Sequence, residues 1–197
     1  MKGKLIKSVP VANHHGDLTC CNGKVYVAVN LGEFNLEPGK ADSWVYVYDA
    51  KDLTFISKHK VPELVHGAGG MGYHDGAFII IGGLPKGYKE NYAYEYDDNF
   101  KFISRHVVNN GYTLKGIQTA CYAHGFWWFG CYGFPDNKAL FKTDATFTLR
   151  GAYDTDFSVG IDALPDGKLL RGITWDLGER KKWRGKAVIV DAGEFLK

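Results

Sequence analysis

The sequence predicts an all-β repeat protein, a β-propeller of four-stranded antiparallel blades, on three observations: recurring turn signals, strand-like runs that follow each turn in one order, and a blade-sized spacing. The turns are Asn22-Gly23, Asp75-Gly76, His124-Gly125 and Asp166-Gly167. Asn-Gly and Asp-Gly favour two-residue hairpins because both positions tolerate positive φ. The turn glycines lie 53, 49 and 42 residues apart. Four strands within about 40 to 50 residues are the mark of a propeller blade. Composition agrees, with 25 glycines and 15% aromatic residues in a chain of 197, since aromatics favour strands and glycine favours tight turns.

Each unit reads as strands a, b, c and d. The a strand precedes the turn. The b strands are Lys24–Val29, Ala77–Ile81, Phe126–Phe129 and Lys168–Arg171. The c strands end in Asp, at Trp44–Asp49, Tyr92–Asp97, Ala139–Asp144 and Ala187–Asp191. The d strands are Leu53–Lys60, Phe100–Val107 and Thr146–Tyr153. One domain over 1–197 then holds blades at about 13–60, 65–108, 114–153 and 157–191. The last blade lacks a full d strand, while Gly3–Val9 reads as a d strand with nothing before it. The N-terminal segment 3–9 is therefore expected to close the last blade, which would remove an exposed sheet edge. Two alternatives fit the same pattern: the C-terminal part of a larger propeller, or two chains sharing one ring, so self-association stays open.

Tyr46-Val47-Tyr48-Asp49-Ala50-Lys51-Asp52-Leu53 resembles the strand-c and turn pattern of YVTN-type propellers. Gly160-Ile161-Asp162-Ala163-Leu164-Pro165-Asp166-Gly167 is similar to the repeat of NHL and gluconolactonase-like propellers. Ile79-Ile80-Ile81-Gly82-Gly83 is similar to the kelch double glycine, although Lys101–Ser104 lacks the Trp that a kelch repeat expects after strand c. The resemblance implies the propeller fold for nearly the whole chain and no particular activity. Gluconolactonase-like enzymes hold a central calcium with acidic and Asn side chains. Here only Asp17 and Asp162 sit near the corresponding place, so that activity is not carried over.

Charge is nearly balanced, 24 Lys and Arg against 22 Asp and Glu, so no basic stripe points to nucleic acid. The one dense basic run, Arg180, Lys181, Lys182, Arg184 and Lys186 around Trp183, reads as a solvated loop. No run of 18 apolar residues predicts a membrane span, and Met1–Pro10 has no apolar core of signal-peptide length. The compartment stays open. Cys20, Cys21, Cys121 and Cys131 form no Cys-x-x-Cys pair and read as buried free thiols.

In a propeller the a strands line the axis, and loops on a rigid scaffold carry function. Counted back from the turn glycine, His66 and Lys115 occupy the same position, and Asn13 falls there in the first blade with His14 and His15 just after it. His14, His15, Asp17, His66, Lys115 and Gln118 are thus expected at the mouth of the axis. They read either as polar residues around a water-filled channel or as a ligand pocket. No metal is required, although His14, His15 and His66 are candidate ligands for a divalent ion. The b–c loops carry Phe34, Tyr88, Tyr132, Phe134 and Trp183, either stacking platforms for a flat ligand or a lid over the blades. Trp127 and Trp128 are expected on opposite sheet faces. Tyr26, Tyr46, Tyr48, Tyr94 and Tyr96 are expected between blades. His59 and His106, on outer strands, are expected to do no chemistry.

Three functions follow. The first is a module that binds a small polar molecule, a carbohydrate or a peptide, with Tyr132 beside the polar cluster. The second is a metal-assisted hydrolase or lyase that uses the histidines and Asp17, with Lys115 stabilising negative charge. The third is a structural or protein-interaction propeller, because the fold hosts unrelated functions. No nucleophile elbow is present, and Gly67-Ala68-Gly69-Gly70 is no phosphate loop.

Overall fold

The chain folds as a four-bladed β-propeller. The computed structural model describes residues 4–11, 14–133, 138–176 and 183–196, without the side chains of Trp175, Asp176 and Trp183. The first blade is β1 (His15–Cys21), β2 (Lys24–Asn30), β3 (Ser43–Asp49) and β4 (Phe55–Lys60). The second is β5 (Ala68–His74), β6 (Ala77–Gly82), β7 (Asn91–Asp97) and β8 (Phe102–Val108). The third is β9 (Leu114–Ala123), β10 (Phe126–Tyr132), β11 (Leu140–Thr143) and β12 (Leu149–Tyr153). The fourth has three strands, β13 (Gly160–Ala163), β14 (Leu169–Asp176) and β15 (Trp183–Val190), before a single helical turn, α1 (Gly193–Leu196). All pairings are antiparallel between sequence neighbours.

The hairpin turns form where the sequence predicts them. Asn22-Gly23, Asp75-Gly76 and His124-Gly125 have positive φ at both residues, the backbone that matches strand twist. The fourth differs. Only Gly167 is left-handed, and Leu164 N–H bonds Lys168 O at 2.8 Å around Pro165 and Asp166. Proline fixes a negative φ, so this loop is longer than two residues.

The Asp that ends each c strand organises the next turn. Asp49, Asp97, Asp144 and Asp191 each accept a backbone N–H two residues on, from Lys51, Asn99, Thr146 and Gly193. Such Asx turns favour Asp because its short side chain reaches its own backbone. The residue that follows in the turn is a plug. Phe100 of the second blade enters the core shared with the first and stacks on His59 at 4.6 Å. Phe147 of the third blade enters the core shared with the second, 4.5 Å from His106. Phe195 of α1 enters the core between the third and fourth blades. Its carbonyl accepts from buried Lys142 at 2.8 Å and from Tyr153 at 2.5 Å. The ammonium of Lys142 lies 5.0 Å from the centre of the Phe126 ring, so cation–π attraction and a charged hydrogen bond offset its burial.

Trp127 and Trp128 fall on opposite faces, one in the core between blades two and three and the other in the core between three and four. Tyr26, Tyr94 and Tyr96 fill the first inter-blade core. Tyr46 and Tyr48 do not. They sit with Val27 and Val29 on the far face of the first blade, because side chains alternate along β3 and Val45 and Val47 take the inner face.

Two further expectations are corrected. Residues 4–9 form no strand and do not complete the fourth sheet; Leu5 and Ile6 are 79% and 92% exposed. Val9, Pro10 and Val11 instead border a cavity against Tyr46, Tyr48, Leu53 and Phe55 of the first blade. Proline has no N–H for a ladder, and this aromatic face offers apolar contact. The cysteines are free, and Cys121 and Cys131 are buried, but Cys20 is exposed and Cys21 half-buried. Cys20 and Cys21 end β1 beside the Asn22-Gly23 turn, with Cys21 against the edge of the core between the first and second blades.

Candidate functional site

Glycine lets the inner strands crowd the axis. A Cβ at Gly16 would lie 2.2 Å from Gly69 O, and one at Gly70 would lie 2.3 Å from Gln118 O and 2.8 Å from the Cβ of Asp17. The bare backbone of Gly70 thus leaves room for Asp17. The carboxylate of Asp17 reaches from the first blade to the third, where it accepts the Ala120 N–H at 3.0 Å. Burial pushes this carboxyl well above the usual carboxylate range; the Ala120 and Leu18 N–H groups oppose that shift, and the charge of Asp162 adds to it. Burial also raises Asp162, against the N–H of Ala163.

At one end of the axis a cavity of about 270 Å³ opens, lined by His14, His15, Asp17, Gln118, Tyr132 and Ser158, with Thr119, Thr174, Val159 and two glycines. Five of the seven residues singled out in the sequence therefore border one space. The Nε2 of His15 pairs with the Tyr48 hydroxyl at 2.8 Å. Gln118 donates its amide to Lys115 O at 2.7 Å, which leaves its own carbonyl as acceptor. Tyr132 is 38% exposed, and burial raises its hydroxyl pKa, helped by Asp156. Ser158 is 6% exposed, and its hydroxyl has no hydrogen-bond partner among the described residues. A buried hydroxyl without a partner costs roughly 1–3 kcal/mol, and Ser158 is one of the residues that line the polar cavity.

His66 and Lys115 do not join this cavity. His66 is buried and bonds Leu36 O through Nδ1 at 2.8 Å, with the Tyr88 ring edge-on at 4.8 Å. Lys115 is exposed, with φ of 60°. Counting from the turn fails because β1, β5 and the β9–β10 pair each carry a register shift. An extra residue re-aims the side chains beyond it. His14, His15 and His66 are thus not brought together, and among the described residues no three His, Cys, Asp or Glu side chains are grouped to hold a metal.

The aromatic loops divide. A Cβ at Gly67 would meet the Phe34 ring at 2.6 Å, and the Tyr88 hydroxyl bonds Glu37 at 2.5 Å. Both fold back over the blades, and Tyr132 alone of the five has its ring described at the axial cavity. Phe134 and the basic residues Arg180, Lys181 and Lys182 lie outside the described residues, as does the side chain of Trp183.

Sequence reasoning passed over Ser158, Thr119 and Thr174. Only their places beside a-strand starts or on β14 hinted at them. It gave no role to Ser104 and expected no chemistry of His106; the two share a face of β8 two residues apart. Ser104 donates to Glu95 at 3.0 Å, and His106 Nε2 lies 2.7 Å from Glu95 and 2.8 Å from Ser104. A carboxylate only accepts, so Nε2 carries its hydrogen and cannot take a proton from the serine. Ser57 and His59 repeat the pair in the first blade at 3.1 Å, an architectural repeat of the outer strands.

No family model matches the chain, and no curated protein matches it in sequence. Among solved structures it is similar to the computationally designed Ika4 protein, with 11% identity and a TM-score of 0.45 over 96% of this chain and 99% of that one. It is also similar to the GH32 beta-fructofuranosidase of Bombyx mori in complex with sucrose, with 12% identity and a TM-score of 0.45. That likeness covers 91% of this chain and 46% of the enzyme.

Proposed function

We propose that the protein is a ligand-binding propeller that recognises a small polar molecule, in the first instance a carbohydrate, in the axial cavity. The buried, unpartnered hydroxyl of Ser158 carries this reading. Buried polar groups are normally hydrogen-bonded, and a ligand hydroxyl would satisfy this one. The remaining lining suits the same ligand: an imidazole at His14, an amide carbonyl at Gln118, and the ring of Tyr132 for the apolar face of a sugar. The test is a glycan array, followed by titration of the best binder by calorimetry. Ser158→Ala and Tyr132→Ala are each expected to weaken binding at least tenfold. Full affinity in both variants, or an array with no binder, overturns the assignment.

A further inference from the structure

The axial cavity does not end at its polar mouth. A second cavity of about 260 Å³ adjoins it and shares Gly16, Asp17 and Val159 with it. It runs into the gap between the fourth and first blades. Its walls are apolar, with Leu18, Ile161 and Leu170, and two carboxylates, Asp17 and Asp162, face the same space. Among the described residues, no Lys or Arg lines either cavity. The charge of Asp162 adds to the upward shift that burial gives Asp17, and no cationic side chain among the described residues lines the cleft to balance it.

We propose that the ligand of the axial site carries an ammonium group, held at Asp17 and Asp162, on a short apolar body whose hydroxyl end reaches Ser158. This rests on the reading of the axial cavity as a binding site and names the class of ligand it takes. Two observations carry it independently. The paired carboxylates share one apolar-walled cleft, and no Lys or Arg among the described residues lines it to supply a counter-charge. Ser158, which lines the adjoining cavity, has a buried hydroxyl with no partner among the described residues. Asp17 is also the tether to Ala120, so one of its oxygens is committed to the fold. Asp162 is exposed along the cleft and among the described residues accepts only the adjacent Ala163 N–H, at 2.8 Å, which makes it the principal partner of the ammonium.

The probes are three molecules of one length: 6-aminohexan-1-ol, hexane-1,6-diol and 6-hydroxyhexanoate. Each offers the same hydroxyl and differs at the far end as cation, neutral group and anion. Titration followed by amide chemical shifts is expected to show the amino alcohol binding at least tenfold tighter than the diol, with shifts at Ser158 and Asp162, and the anion weakest. Asp162→Asn is expected to remove most of that preference. Because Asp162 is exposed, this variant folds as the parent does. Equal affinity for amino alcohol and diol, shifts elsewhere, or an unchanged preference in Asp162→Asn overturns the ammonium assignment. If a neutral glycan binds in a Ser158-dependent way while the amino alcohol shows no preference, the inference fails and the axial site stands. If neither binds, both fail.

Discussion

Between the second and third blades, Gly72 makes room for Trp127, whose ring would lie 2.8 Å from an added Cβ. Between the fourth and first, an added Cβ at Gly160 would meet nothing closer than Gly172 of its own sheet, at 3.8 Å. The same contrast holds at the plugs. Phe100, Phe147 and Phe195 each enter a core shared with the preceding blade. Leu53, the equivalent residue of the first blade, belongs to none of these cores and borders the cavity shared with Val9, Pro10 and Val11. Three seams are thus close-packed and the fourth is a cleft. Close-packed cores tolerate little change in volume, whereas a cleft with two carboxylates is free to accept a ligand. Stability resides in three seams and the candidate site in the fourth.

The widest separation is expected from the matched plugs. Phe147→Ala should cost about 3–5 kcal/mol, as for other buried aromatics, and Leu53→Ala less than about 1 kcal/mol. Urea midpoints at constant m-value measure both, and equal losses would erase the distinction between the seams. Next come the glycines. Gly70→Ala drives a Cβ into Gln118 O and should cost about 1–3 kcal/mol through overpacking. Gly160→Ala should stay within about 0.5 kcal/mol, as at other unconstrained positions. A large loss at Gly160 would mean that the fourth seam closes in solution.

Smaller effects are expected from pH. Asp17 has its carboxyl raised above the ordinary 3.8 by burial. The folded protein then holds this proton more tightly than the unfolded chain. The resulting stability is present below 3.8 and is lost as pH rises through the raised pKa. Asp17→Asn keeps an acceptor for Ala120 and should flatten this slope, matching or exceeding the parent at pH 8; a parent whose stability does not fall over that interval contradicts the burial of the carboxyl. Asp144, at the tight third blade, has the opposite sign. The Thr146 hydroxyl, with the Thr148 and Thr146 N–H groups and Arg150, lowers it to about 2. Its contribution is present above the ordinary 3.8 and lost as pH falls through about 2. Asp144→Asn should lessen the acid loss slightly, and an unchanged acid limb would remove this turn from the account.

Much of the fold was legible because it is local. The Asn-Gly and Asp-Gly turns, the Asp that ends each c strand, and the opposed faces of Trp127 and Trp128 need only the period of a strand and the chemistry of a turn. The site was legible in part. His14, His15, Asp17, Gln118 and Tyr132 meet at one cavity because a strands begin at the axis. His66 and Lys115 were displaced by bulges, which leave no mark in composition or alternation. Ser158 went unnoticed because nothing in its neighbours signals a buried hydroxyl without a partner.

The sequence by itself determined the blade-sized repeat, the order of strands in each blade and the hairpins between them, since each depends on residues a few positions apart. Tertiary structure decided which seams close, where residues 4–11 lie, and which polar side chains share a cavity. Those outcomes depend on groups from distant segments competing for one space, as when Asp17 crosses over Gly70 to bond Ala120. Such a contact follows from packing around an axis, and no single stretch of the chain encodes it.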